Sequence, residues 1–336
     1  MKLSATQIFI RIVLPAVIFA LTIFMCWHFF DSFSGGSLRQ VLAHIATLSG
    51  GTWLLLGVLT CVFYLLDWVR YGSVLRVLGF KLTPQNGLRL TSVSYFVTNL
   101  TPTAELHAPA MVYMLGQMGV PAPQALAATL TKSIYMTLWI CLVSYLTLFF
   151  DRSIALPAAL QHSLPYLALP LLGISLLLAW IAFFPKPLVN WSQPHLARLK
   201  PTSLRHKVLA GLVHSASSIA QIGRSGKIEH ALCHVASLVF LLVYVLIGWI
   251  LAEQLGFTLS FWHALTIFST SLMIAYLAPV PGAIGVTEIA TSYMLDPHLT
   301  AAGMAVSLSL RVLCWYGISL PGAVVLVRSL RNKAAR

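Results

Sequence analysis

Acidic side chains are scarce in this chain: 8 Asp and Glu stand against 21 Lys and Arg in 336 residues, and only 9% of positions are charged. Soluble domains carry about a quarter charged residues. So few carboxylates leave no acidic cluster for a hard metal ion. Cysteine is nearly as rare. Cys26, Cys61, Cys141, Cys233 and Cys314 fall singly inside apolar tracts without CxxC spacing, which argues against a zinc site or a disulfide framework. Also missing are G-x-S-x-G, HExxH, a Walker loop and a dinucleotide glycine fingerprint. Catalysis finds no motif, and no cofactor is expected. The apolar tracts lack the period-2 alternation of barrel strands.

Hydrophobicity is what the chain has: 58% of residues are apolar. Runs near 8–30, 47–69, 122–149, 163–184, 230–252 and 299–327 are each long enough to cross a bilayer as a helix. The first run exceeds a signal-peptide core and is followed by no small-residue cleavage site, so it reads as a retained span. The tail after the last run is about nine residues, which leaves no room for a soluble catalytic domain. The expectation is an all-α polytopic membrane protein, a single integral domain over 1–336 with about six transmembrane helices.

A net charge of +13 could point to nucleic acid, but its distribution points to topology instead. Sixteen cations fall on one side: Lys2; Arg70, Arg76, Lys81 and Arg89; the seven from Lys186 to Lys227; and Arg328, Arg331, Lys333 and Arg336. Arg39 and Arg152 fall in the opposite loops, and Arg11, Lys132 and Arg311 lie within or at the ends of spans. The basic side is expected to be cytoplasmic, with both termini there and with attraction to anionic headgroups as a by-product. No nucleic-acid partner is expected. The basic loop 185–229 contains SLRHKVLAGLVHSASSIAQIGRSG, with apolar Leu204, Val208, Leu212 and Ile219 between basic groups. That pattern predicts an amphipathic helix on the inner membrane surface.

Two further apolar stretches, roughly 88–118 and 265–296, are interrupted. In FVTNLTPTAELHAPAMVYML, Pro102 and Pro109 flank Glu105; in IAYLAPVPGAIGVTEIATSYML, Pro279, Pro281, Gly282 and Gly285 precede Glu288. Each arm is about 11–14 residues, or roughly 16–21 Å, short of the ~30 Å hydrocarbon core. Such arms around a Pro/Gly turn suggest re-entrant helical hairpins. The stretches also match each other. Asn99-Leu-Thr-Pro102 answers Tyr276-Leu-Ala-Pro279 at a shift of 177, and Val-Tyr113-Met-Leu115 answers Ser-Tyr293-Met-Leu295 at 180. Ala-Thr-Leu-Thr-Lys132 answers Ser-Leu-Ser-Leu-Arg311 at 179. The first repeat would span 83–150 and the second 257–328. The charge pattern has them enter from opposite faces, an inverted repeat of the kind transporters use.

Irregular backbone at membrane depth is tolerated where it is buried in protein or lines a water-filled cavity. A half-helix start there offers free N–H groups and partial positive charge to an anion. A kink packed against neighbours is the plainer alternative. Lys132 and Arg311 each sit about ten residues into a span after an interrupted stretch, and a buried cation there marks function or a specific partner. Glu105 and Glu288 are the expected partners. Either the two cations hold a phosphate while the carboxylates balance charge, or Lys132–Glu105 and Arg311–Glu288 are static ion pairs. Asp67 is expected to pair with Arg70, its i,i+3 neighbour. His107 reads as a hydrogen-bonding structural residue, and Asn99 and Thr101 as caps of a broken helix end.

PVPGAIGVTE after a tyrosine, ahead of a span carrying Arg311, resembles the C-terminal signature of the lysylphosphatidylglycerol synthase transmembrane (flippase-like) family, a Pro-x-Pro-Gly-Gly-x-Gly-x-x-Glu run. NLTPTAELHAPAMVYMLGQMGV resembles that family's other motif, a Thr-Pro with a nearby Glu before a Leu-x-x-x-Gly-Val turn. Ala283 replaces the second glycine of the pair, and no arginine accompanies Glu105. The resemblance implies that Pro102, Glu105, Pro279, Pro281, Gly282, Gly285, Glu288 and Arg311 belong to the site. It also implies lipid translocation without lysyl transfer, by a multi-pass protein of the bacterial inner membrane.

The expected function is therefore a non-enzymatic, flippase-like transporter of an anionic lipid: a phospholipid, a polyprenyl-phosphate-linked lipid or a hopanoid-type lipid. Lys132 and Arg311 would engage the phosphate. A lipid-synthesis enzyme or a second copy of the chain is a possible partner. Two other classes stay open: a membrane-embedded transferase with Glu105 or Glu288 as general base, and a non-transporting subunit of a lipid-modifying enzyme.

Overall fold

Hydroxyl residues mark where many of the helices begin. Ser49, Thr83, Ser203, Ser260 and Thr300 each precede an apolar run, and each side-chain oxygen accepts a backbone N–H three residues on, at 3.1–3.4 Å. Such caps satisfy one of the four N–H groups that every helix start leaves without a partner. Pro84 follows Thr83 at the first helical position, where a missing N–H costs nothing. The opposite end is visible at Leu115-x-x-x-Gly119-Val120: Gly119 takes φ +86°, and the Val120 N–H returns to the Leu115 carbonyl at 3.0 Å. That left-handed stop is open to glycine and strained for other residues.

The computed structural model describes residues 38–101, 107–151, 154, 203–278 and 280–334, with isolated positions between 169 and 198. Among them are eleven α-helices: α1 (Leu38–Ala46), α2 (Gly50–Val77), α3 (Pro84–Leu100), α4 (Ala108–Gln117), α5 (Ala122–Phe150), α6 (Leu204–Arg224), α7 (Lys227–Gln254), α8 (Phe261–Leu277), α9 (Val286–Leu295), α10 (Ala301–Arg311) and α11 (Gly317–Ala334). A π-helical turn, Val312–Tyr316, joins the last two. Four helices are long and apolar enough to cross a membrane: Gly50–Val77, Ala122–Phe150, Lys227–Gln254 and the continuous Ala301–Arg331. They answer four of the six expected spans. The span expected at 8–30 lies outside the described residues, and that at 163–184 almost wholly so.

The two interrupted stretches form matched pairs. Residues 84–100 and 108–117 give helices of 17 and 10 residues, and 261–277 and 286–295 again give 17 and 10. The arms are less equal than the sequence suggested, because each first arm starts at its hydroxyl cap, upstream of the apolar run. The pairs pack reciprocally. α3 lies along α11, while α8 lies along α5, so the longer arm of each pair rests on the long helix that follows the other pair.

Helices α2 and α7 form the most extensive of the helix contacts. Between them, Phe63 stacks on Phe240 with ring centroids 4.0 Å apart, and Tyr64, Tyr95 and Trp315 continue the aromatic layer edge to face. The amphipathic stretch 203–226 does form a helix, but its second half is not left to the bilayer. Ser215, Ala216, Ser218, Ile219, Ala220 and Ile222 are buried, and the helix packs on α5.

Close approach of α11 to α3 depends on one small residue. A Cβ at Gly322 would lie 2.0 Å from the backbone oxygen of Ser92. Overpacking of this kind typically costs about 1–3 kcal/mol. Gly322→Ala is expected to lower the thermal unfolding midpoint in detergent by several degrees, and an unchanged midpoint would show that α3 and α11 are not in contact there.

Candidate functional site

Charge buried inside an apolar helical bundle must be partnered, and the structure places two such clusters near each other. The first joins α2 to α5. Lys132 Nζ lies 2.7 Å from Asp67 Oδ1, and Arg70 Nη1 lies 3.1 Å from the same oxygen. Asp67 and Arg70 are each 2% exposed and Lys132 is 7% exposed. The Asp67 carboxylate also accepts the Thr91 hydroxyl, at 3.3 Å. Arg70 donates through Nε to Ser237 at 3.0 Å and through Nη2 to the Lys132 carbonyl at 3.3 Å. Both cations lie over aromatic rings, Lys132 over Tyr71 at 4.0 Å and Arg70 over Phe240 at 4.8 Å. Such contacts offset part of the desolvation cost of a cation. Among the described residues the cluster sets two cations against one carboxylate.

The second cluster sits at the break between α8 and α9. Arg311 Nε donates to Glu288 Oε1 at 3.0 Å, and its Nη2 donates to the Gly282 carbonyl. Glu288 is the third residue of α9, and its other oxygen accepts the Gly285 N–H at 2.7 Å, closing the helix start. A carboxylate is well placed there, opposite the positive end of the helix dipole. The turn itself runs through left-handed backbone: Gly282 at φ +59°, Ala283 at +54° and Gly285 at +84°. Ala283, where the family signature has glycine, therefore carries a strain of order 1–2 kcal/mol. Arg311 lies 4.9 Å over Trp315, and the π-helical turn begins directly after it. That widened turn frees backbone carbonyls, and Tyr64 donates to the one at Leu313.

The two breaks touch. The Gly282 N–H donates to the Thr101 carbonyl at 3.3 Å, and a Cβ on Gly282 would come 3.1 Å from the Asn99 Cα. Thr101 ends α3 as expected, its hydroxyl donating to the Val97 carbonyl, whereas Asn99 lies within the helix and donates to Ser319 of α11 at 2.7 Å instead of capping it. Against the first cluster lies a cavity of about 40 Å³. Asp67, Arg70 and Lys132 form one wall, His107 and Thr98 come from the first helix pair, and Tyr276 and Trp315 come from the second half. That space admits water and nothing larger.

Of the residues singled out in the sequence, Lys132, Arg311, Glu288, Pro281, Gly282 and Gly285 fall at these clusters. Pro102, Glu105 and Pro279 lie outside the described residues. The Arg311–Glu288 pair is present as expected. Among the described residues Lys132 forms an ion pair with Asp67; its expected pairing with Glu105 falls outside them. Asp67 does pair with Arg70, but Arg70 does not begin a basic loop as expected: α2 continues to Val77, and its residues 70–75 are buried. Asp67, Arg70, Thr91 and Ser237 are the site residues that the sequence reading missed. The available signal was an Asp and an Arg one helical turn apart, continuous with an apolar run.

Removing one partner of a buried ion pair typically costs about 3–5 kcal/mol, because it leaves the other charge uncompensated. Asp67→Asn is expected to lower the detergent unfolding midpoint sharply, with Asp67→Asn/Lys132→Met recovering much of the loss. Equal midpoints for Asp67→Asn and the unaltered protein would show that the pair is not formed.

No match was found among curated proteins or among solved structures. The family model described as the lysylphosphatidylglycerol synthase TM region matches residues 8–322, which include both helix pairs and both charged clusters. With most of its length matched, the chain belongs to the lysylphosphatidylglycerol synthase TM-region family.

Proposed function

We propose that the protein moves an anionic lipid across the bacterial inner membrane, passing the acidic headgroup through the cavity between the two broken helix pairs. The observation that carries this reading is the placement of Lys132 and Arg70 on that cavity with, among the described residues, one carboxylate between them. Asp67 neutralises the cations when no headgroup is present. A phosphate brings two or more acceptor oxygens and can replace it, Lys132 contributing a point charge and Arg70 a planar fork. Arg311, held by Glu288 and the Gly282 carbonyl, acts on the turn between α8 and α9 and stays clear of the cavity wall.

The matched 17- and 10-residue arms and their reciprocal packing support an inverted repeat of two re-entrant hairpins. At 1.5 Å per residue the arms reach about 26 and 15 Å, both short of the ~30 Å core. A cavity of about 40 Å³ is too small for a headgroup, so this is a closed arrangement, and loading requires the two halves to part. The hydrogen bond between Gly282 and Thr101 and the Asn99–Ser319 contact are what such a movement would break first.

The test is transfer of a headgroup-labelled phosphatidylglycerol between leaflets of vesicles containing the purified protein. Lys132→Gln, which keeps a polar side chain beside Asp67, is expected to slow transfer about tenfold or more, equivalent to ~1.4 kcal/mol. Lys132→Arg should retain much of the rate. Equal transfer by the unaltered protein and Lys132→Gln would overturn the proposal. A lipid product of altered mass would indicate the transferase class, and transport that needs a copurifying subunit would indicate the partner class.

A further inference from the structure

A second, much larger chamber lies on the other side of α5 from the charged cavity. Lys132 and Ser133 face the small cavity, whereas Thr131, Ile134, Tyr135 and Leu138 line a chamber of about 410 Å³ closed by α6 and the start of α7. Its walls are largely apolar, with Ile219 and Ile222 of α6 opposite Ile134 and Leu138. Polar groups come mainly from one stripe of α7, Lys227, His230 and His234, at i, i+3 and i+7.

These polar groups have different duties. His230 is a brace: its Nδ1 accepts the Tyr135 hydroxyl, and its Nε2 donates to the Ile222 carbonyl, one of the last four of α6. One imidazole thus ties three helices together around the chamber, with both of its nitrogens engaged. His234 stacks on Tyr135, with centroids 4.0 Å apart. Lys227 has no ion-pair partner among the described residues. It stands at the edge of an apolar chamber.

The apolar wall continues out of the chamber. Ile134, Leu138, Leu142, Leu146 and Phe150 form an i+4 row along α5, and the last three are 48–68% exposed. The row runs away from Lys227, because His230 meets Tyr135 while His234 also reaches Trp139, one turn further along α5. From Ile134 to Leu146 the row covers about 18 Å. One leaflet's share of the hydrocarbon core is roughly 15 Å.

We propose that this chamber is a binding site for a single anionic phospholipid taken laterally from the bilayer. Its acidic headgroup rests on Lys227, and one acyl chain fills the space between Ile134, Leu138, Ile219 and Ile222 before following the exposed row on α5. The proposal is independent of the transport reading, since it requires no passage through the small cavity. An apolar space that, among the described residues, has one cation without an ion-pair partner at its end matches an acid-headed amphiphile and disfavours both a soluble anion and a zwitterionic lipid.

The test uses phosphatidylglycerol carrying a photoactivatable acyl chain, in phosphatidylcholine vesicles containing the full-length protein, with labelled peptides mapped by mass spectrometry. Labelling is expected within 131–138 and 219–223 and should be competed by unlabelled phosphatidylglycerol. Lys227→Gln should weaken it about fivefold, the factor for the ~1 kcal/mol that one lysine contributes toward anionic lipid. Leu138→Trp should fill the space and remove the label, and Lys132→Gln should leave it unchanged. Labelling that is insensitive to Lys227→Gln, or equal with a phosphatidylcholine probe, would overturn the proposal. So would crosslinks from the chamber to another segment of the same chain in place of lipid.

Discussion

A charged group inside a bilayer-spanning bundle must meet an opposite charge, a dipole or an aromatic face. Asp67, Arg70 and Lys132 meet that demand in one cluster, and Glu288 and Arg311 in the other. Much of the architecture serves these contacts. The Ser237 hydroxyl of α7 and the Thr91 hydroxyl of α3 complete the first cluster, so α2, α3, α5 and α7 are joined through five side chains. In the second cluster, the broken backbone at Gly282–Gly285 supplies both a carbonyl for Arg311 and an N–H for Glu288. The break in the helix is what makes that pair possible, because an unbroken helix would have its own backbone groups already bonded.

The clusters differ in what they can exchange. Glu288 closes a helix start and binds Arg311 at once, so displacing it would unmake the turn. Asp67 faces the cavity beside two cations and, among the described residues, is held by side chains alone, so a competing anion could replace it with less disturbance to the helices. Division of labour between the halves follows from this: one cluster positions the break, and the other presents charge to the cavity.

Much of this was legible in the sequence. Apolar run lengths and the Pro/Gly interruptions located α2, α5, α7 and the two helix pairs, because each rests on local chemistry. Arg311–Glu288 was also legible, since signature spacing and helix-start electrostatics act over a few residues and one contact. The pairing of Lys132 with Asp67 was not. Asp67 lies 65 positions earlier in the chain, and only the packing of α2 against α5 brings them together. Arg70 was misplaced for a related reason: a cation ending an apolar run looks like an interface residue until α7 and α5 are seen to cover it. The burial of the second half of α6 likewise depends on a neighbour, α5, whose contribution no local pattern records.

Electron cryomicroscopy of the protein in nanodiscs of anionic phospholipid would test the central claim directly. Density for a phosphate within hydrogen-bonding distance of Lys132 Nζ and the Arg70 guanidinium, with Asp67 withdrawn from Lys132 and the cavity enlarged, is the predicted result. An intact Lys132–Asp67 pair and an unexpanded cavity in every class, despite saturating anionic lipid, would contradict it.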